Sequence, residues 1–396
     1  MGRVAGRARV SVSILFLVHG LVFSTWVSRI PAVQAHLRLR PSELGLALLG
    51  IAVGSMISMP AAGVLMARIG TGAVAAFSSL VFCCTLALPA FAPNAPILGI
   101  ALGVLGLAGG AMDVSMNAQG VAVEERYKRS LMSGFHALFS IGGMAGAAIG
   151  GAVASRNIDP RIHLAVAGAI CLGLIVAAIP NLIPHDHHGE LEHGPKFRVT
   201  PRLLALGALA FCFFLSEGAV ADWSGLYLRK ELGTGQGTAA LGYAVFSAVM
   251  SLGRLTGDML INRFGRVALV RAGSIVGAVG LGTSLMIASP AAALAGFALT
   301  GAGCAVIVPI AFAAAGRMHD LPPGTGLTAV TTLGYFGLFA GPPSIGFLAD
   351  AAGLRTALWV VVGLLAAGVL LAGAARNGDA RESERPQVPT AAAEAD

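Results

Sequence analysis

Twelve apolar stretches, each long enough to cross a bilayer, leave this chain few ways to fold. Spanning takes about 17–25 residues. The stretches lie at 11–29, 43–66, 72–91, 96–122, 131–154 and 162–183, then at 203–228, 238–261, 267–288, 291–315, 325–349 and 355–374. A polar run from His185 to Arg202 separates the two groups of six. Backbone in hydrocarbon must satisfy its own N–H and C=O groups, so each stretch is expected to be a helix. The composition agrees: 56% of residues are hydrophobic and only 11% charged, against about 25% charged in soluble domains. The 54 glycines suit close helix packing in lipid.

The net charge of +7 does not point to nucleic acid, because the basic residues sit in short loops. There they set topology. With the N-terminus inside, 17 Lys and Arg fall in the cytoplasm and 8 outside, with Arg254 within segment 8. Both termini are therefore expected on the cytoplasmic side of the membrane. Arg3, Arg7 and Arg9 ahead of segment 1 resemble a signal peptide's basic start, but that segment has a repeat partner, which argues against cleavage. The five cysteines all lie in apolar stretches and read as small buried hydrophobes.

The two groups repeat. Trp26 and Trp223 stand near the ends of segments 1 and 7. Arg68-Ile69-Gly70 matches Arg263-Phe264-Gly265 at an offset of 195, which also sets Gly106 on Gly301 and Gly151 on Gly346. One offset across several segment pairs indicates duplication, and two like halves around a cavity make a transporter architecture. The expected division is an N-terminal six-helix bundle at 1–183, a cytoplasmic linker at 184–202, a C-terminal bundle at 203–375 and a disordered tail at 376–396.

The stretch from Gly253 to Arg266, read as the loop after segment 8, resembles the loop signature of the major facilitator superfamily. Gly63 to Gly70 is a weaker first copy. In that family an Asp just before the first Arg helps latch the cytoplasmic side. Here Ala67 and Asn262 hold those places, and Asp258 is the candidate substitute, with Arg263 and Arg266. Within the superfamily the chain resembles the fucose–proton symporter-like branch, and most closely the bacterial YbjJ-type inner-membrane permeases. Asp113 to Asn117, Glu124, Gly134-Phe135-His136, Glu217-Gly218, Asp222-Trp223 and Gly341-Pro342-Pro343 carry this likeness. It implies an all-α polytopic protein with twelve transmembrane helices in two pseudo-symmetric bundles, working as a monomer. It also implies a neutral, sugar-like solute taken up with protons.

Charged groups inside apolar runs are expensive, at least about 2.5–3.5 kcal/mol each, and so are the candidates for function. Asp113 and Asn117, four residues apart, share a helix face. Asp113, Glu217 and His136 are the expected proton-coupling groups, with Asp113 and His136 at similar depth on adjacent helices. A structural acid bonded to Asn117, or a satisfied core histidine, is the plainer alternative. Asn117, Trp26, Trp223, His19 and Asp222 are the candidate substrate contacts. The tryptophans could stack on a sugar ring or simply form the interfacial belt, and His19 could instead bridge two helices. Arg29 with Asp222 is a possible outer latch, and Arg68 with Glu124 a cytoplasmic lock. His185-Asp186-His187-His188 with His193 fits no closed metal site and reads as solvated linker. No ATP or hydrolase motif occurs, so no enzyme and no cofactor is expected beyond a proton gradient. The partners are a small solute and membrane lipid. The expected function is secondary transport by alternating access, most simply proton symport. A proton-antiport exporter of drugs or metabolites and a non-transporting membrane sensor are the alternatives.

Overall fold

The computed structural model describes residues 2–128, 131–184, 199–318 and 325–376. Those residues are almost wholly helical. The first half comprises α1 (Gly2–Leu37), α2 (Pro41–Ile69), α3 (Thr71–Thr85), the short α4 (Leu88–Phe91), α5 (Ala95–Tyr127), α6 (Met132–Ser155) and α7 (Pro160–Ala178). The second comprises α8 (Pro201–Leu226), a π-helical turn at Tyr227–Glu231, α9 (Gln236–Phe264), α10 (Arg266–Ile287), α11 (Pro290–Cys304), α12 (Ile307–Ala315), α13 (Thr325–Ala352) and α14 (Leu354–Leu371). Segments 3 and 10 are each broken once, into α3–α4 and α11–α12. Eleven spans among the described residues are long and apolar enough to cross a membrane. The remaining long helix, α13, is diluted by threonines, glycines, Pro342 and Pro343. It nevertheless continues through both prolines, as membrane helices can where neighbours accommodate the freed backbone groups.

Helix starts follow local chemistry. Asn94, Asp159, Thr200 and Ser289 accept from backbone amides at the starts of α5, α7, α8 and α11, each with proline in the first turn. The ends of α2 and α9 carry the repeat in their backbone. Gly70 has φ 86° and ψ 155°, and Gly265 has φ 78° and ψ 158°. That conformation favours glycine, and here it recurs at the 195-residue offset. The sequence placed Gly253 to Arg266 in a loop. The structure instead keeps this stretch on α9 as far as Phe264, and only the glycine breaks it.

Packing repeats as well. In the first half α1 lies on α6, α2 on α5, α3 on α5 and α3 on α7. In the second, α8 lies on α13, α9 on α11, α10 on α11 and α10 on α14. Gln119, fully buried, clasps the end of the first half. Its amide donates to Thr71 Oγ1 at 2.6 Å and to the Ile183 carbonyl at 2.9 Å, and accepts from the Ile183 amide at 2.9 Å. The linker histidines at 185–193 and the tail beyond 376 lie outside the described residues. Of the cysteines, Cys83, Cys171, Cys212 and Cys304 are buried as expected, whereas Cys84 is exposed; all five are free thiols.

The halves meet along two seams, α2 against α13 and α6 against α9. Both seams lie toward one end. A Cβ on Gly45 would overlap the Pro342 carbonyl, and one on Gly151 would stand 3.1 Å from Ala240 Cβ and 3.3 Å from the Gly237 carbonyl. The Ser42 amide donates to Asp350 Oδ2 across the first seam at 3.2 Å. The opposite end carries exposed Arg68, Arg126 and Arg263.

Candidate functional site

Between the seams and the opposite end, charged groups from both halves come near one another, and their partial exposure reads as one cleft. Glu217 on α8 and Arg254 on α9 form an ion pair, Oε1 to Nη2 3.6 Å, with side chains 23% and 29% exposed. Partial exposure in mid-span is what a water-filled cleft gives. Asp113 on α5 is half-buried, and Asn117 one turn on donates to its carbonyl at 2.8 Å and reaches its Oδ1 at 3.4 Å. The two do share a face. His136 on α6 is exposed, with its ring edge-on to Phe16 at 5.2 Å. The charges of Asp113 and Arg254 both act on it. Tyr335 on α13 is stacked on Phe214 at 5.5 Å, where the charges of Asp113 and Glu217 both act on it.

Asp113 and His136 therefore share a cleft, though not by the expected route. Helices α5 and α6 barely touch, and α6 packs on α1. Toward the seams the cleft is floored by Ser24, Ser247 and Tyr243. A Cβ on Gly143 would lie 3.3 Å from Ser24 Oγ and 3.2 Å from Ser247 Oγ. Tyr243 is buried there, edge-on to Phe23 at 6.3 Å.

Other expected residues sit elsewhere. Trp26 and Trp223 are 1% and 0% exposed, so neither presents a ring face to a solute. Their apolar rings are absorbed into the core, which corrects the cavity-lining expectation. His19 bridges helices instead, its Nε2 lying 3.3 Å from the Gly109 carbonyl and its ring stacked on Phe82 at 5.1 Å. The outer latch is also corrected. Arg29, fully buried, donates to the Ile158 carbonyl in the α6–α7 loop rather than pairing with Asp222. Asp222 lies in a narrow crevice between the halves, with Val27, Pro31 and Tyr243. Glu124 does not lock onto Arg68. It accepts from the amides of Leu131 and Met132, the latter at 2.7 Å, and so caps α6. Arg263 stacks on Phe264 at 5.3 Å, and Arg266 begins α10 beside Arg317. The Asp258 side chain lies outside the described residues. Among those residues no cluster suits a metal ion.

Sequence reasoning missed Arg254, Tyr243 and Tyr335. An arginine inside an apolar segment is signal enough for the first, but the sequence reading set Arg254 apart from the topology count and took it only as part of the Gly253–Arg266 signature. The tyrosines gave no signal that separates them from packing residues.

A family model described as Major Facilitator Superfamily matches residues 12–258 and 206–394. An uncharacterized MFS-type transporter of Yersinia pestis is 39% identical over 359 residues, covering 90% of this chain and 93% of the relative. Membrane protein MosC of Rhizobium meliloti is 34% identical, covering 95% and 91%. Among solved structures, a variant of the nucleoside transporter NupG superposes with TM-score 0.75 at 12% identity, covering 93% of this chain and 98% of that one. A bacterial homologue of the human lysosomal transporter Spinster, inward-facing and occupied, gives 0.72 at 13% identity, covering 92% and 95%. At such identities the structural likeness concerns the fold.

Proposed function

Because the chain belongs to the major facilitator superfamily, a family of membrane transporters rather than enzymes, we propose that it takes up a small polar, sugar-like solute by proton-coupled symport. One observation carries the reading: a partly exposed Glu217–Arg254 pair in one half and a half-buried Asp113 in the other stand in mid-span, near enough that their charges act on the same His136 and Tyr335. The pair is neutral as a unit. Among the described residues Asp113, like Asp222 nearer the seams, has no cation in contact, and enclosing it charged costs at least about 2.5–3.5 kcal/mol. A proton on Asp113 removes that cost. Protonation then permits solute binding and closure, and proton loss on the other side permits release. His136, on which the charges of Asp113 and Arg254 both act, is the group we assign to pass the proton. Asn117 and Tyr335 offer hydrogen bonds to hydroxyl groups of the solute.

The two halves rock about this site. The excess of basic residues at the open end supports reading it as cytoplasmic, and on that reading this is the inward-facing state, with both termini in the cytoplasm of a bacterial inner membrane. We assign the chain to the fucose–proton symporter-like branch, near the YbjJ-type permeases, acting as a monomer.

The test is uptake of labelled sugars and sugar acids into right-side-out and inverted vesicles, with and without a pH gradient. Wild type is compared with Asp113→Asn. Saturable accumulation that needs the gradient and is lost in the variant supports symport. Expulsion of a drug or dye against the gradient, with no sugar moving, replaces it with antiport. The absence of any gradient-linked flux favours a sensor.

A further inference from the structure

The first turns of α1 carry a feature that transport does not use. Two grooves flank the ridge formed by Gly6, Val10 and Ile14. One, of about 470 Å³, runs beside Leu138 of α6 and has Arg9 on its rim. The other, of about 380 Å³, runs beside Ala177 of α7 and has Arg7 on its rim. Both arginines are exposed, as is Val10 at 58%. Arg9 lies over the Tyr127 ring at 5.8 Å. The ridge turns away from the cleft. Ser11 donates to the Ala178 carbonyl on α7 at 2.8 Å, and the Leu17 backbone touches Gly142 on α6. At 100° per residue, Val10 and Ile14 project between these two contacts. His136 and Phe16 lie on the other side of α6's contact.

We propose that this end of α1 binds an anionic diacyl phospholipid. Its phosphate sits over Gly6 between Arg7 and Arg9, and one acyl chain lies in each groove. Three features fit that occupant together. Two separate apolar grooves match two chains. A cation on each rim matches one shared anionic headgroup, as basic sites beside transmembrane helices do. Gly6 leaves the space between them open among the described residues, since a Cβ there would meet nothing of theirs nearer than the Tyr127 hydroxyl at 3.9 Å. A zwitterionic lipid would fill the grooves but gain little from the arginines.

The experiment is native mass spectrometry of the purified full chain, titrated with phosphatidylglycerol or phosphatidylcholine. Phosphatidylglycerol should bind wild type more tightly. Arg7→Gln with Arg9→Gln should weaken it about 25-fold, at about fivefold per arginine, with phosphatidylcholine unchanged. Gly6→Leu keeps both charges and favours helix, yet fills the ridge, and should displace the lipid without lowering the melting temperature of delipidated protein. Equal affinity for the two lipids in wild type would overturn the proposal, as would full phosphatidylglycerol binding by either variant.

Discussion

Removing the Asp350 carboxylate should loosen the closed end by a calculable amount. Asp350 on α13 accepts from the Ser42 amide in the first turn of α2, at 3.2 Å, across a seam between the halves. The bond exists only while that end is shut. An anion at a helix N-terminus contributes about 0.3–1 kcal/mol, and a net hydrogen bond about 0.5–1.5 kcal/mol. Asp350 is exposed, so screening holds the sum to the lower range, about 0.5–1 kcal/mol. Asp350→Ala should therefore lower the closed-to-open ratio about two- to fivefold. Spin labels at Arg156→Cys and Glu231→Cys, in a background lacking the native cysteines, report that ratio by pulsed distance measurement. Both sites are exposed and lie on different halves at the closed end. An unchanged ratio, or a shift toward the closed state in a normally melting variant, would refute the argument.

Other outcomes follow from the same geometry. Arg254→Gln should destabilise the protein by about 1–2 kcal/mol, since it leaves Glu217 without its partner. Adding Glu217→Gln should recover most of that loss in a double-mutant cycle read by thermal melting; additive losses would exclude a working pair. Glu124→Ala should cost about 1 kcal/mol of stability through loss of the α6 cap, whereas exposed Arg68→Gln should change melting by less than about 0.5 kcal/mol. Gly45→Val places atoms where the Pro342 carbonyl stands. The same spin labels should then report a longer closed-end distance, and an unmoved distance would show that the seam can absorb a side chain.

Much of the architecture was legible because hydrocarbon enforces a simple rule. Length and apolarity located all twelve segments, and one offset gave the repeat that Gly70 and Gly265 later show in their dihedrals. Helix ends were less legible. Segment 1 was read as 11–29, yet α1 runs Gly2–Leu37, since apolarity reports the thickness of lipid and not the length of helix. The candidate site was legible in part. Asp113, Asn117, His136 and Glu217 could be named because isolated polar groups stand out in apolar runs. Their partners depend on which helices pack together, and sequence does not give that. Arg29 and Glu124 show the difficulty: each was paired with a distant opposite charge, and each instead satisfies backbone groups of a nearby loop or helix start. Trp26 and Trp223 were placed by analogy with sugar stacking, but their bulk serves the core. Asp350, in the last turns of α13, gave no sequence signal because an acid near a helix end is ordinary.

The seams between the halves behave as bearings. At Gly45 and Gly151 backbone meets backbone or a methyl group, with no long side chain keyed into the opposite face. At those two points parting the faces requires no rotamer to unlock, whereas Tyr243 against Phe23 is a side-chain contact that must separate. Friction in the turnover cycle should then come from wetting the newly bared faces, from breaking the Asp350–Ser42 bond and from separating Tyr243 from Phe23. A machine lubricated in this way would keep moving when cooled, its speed governed more by load in the cleft than by stiffness at the hinge.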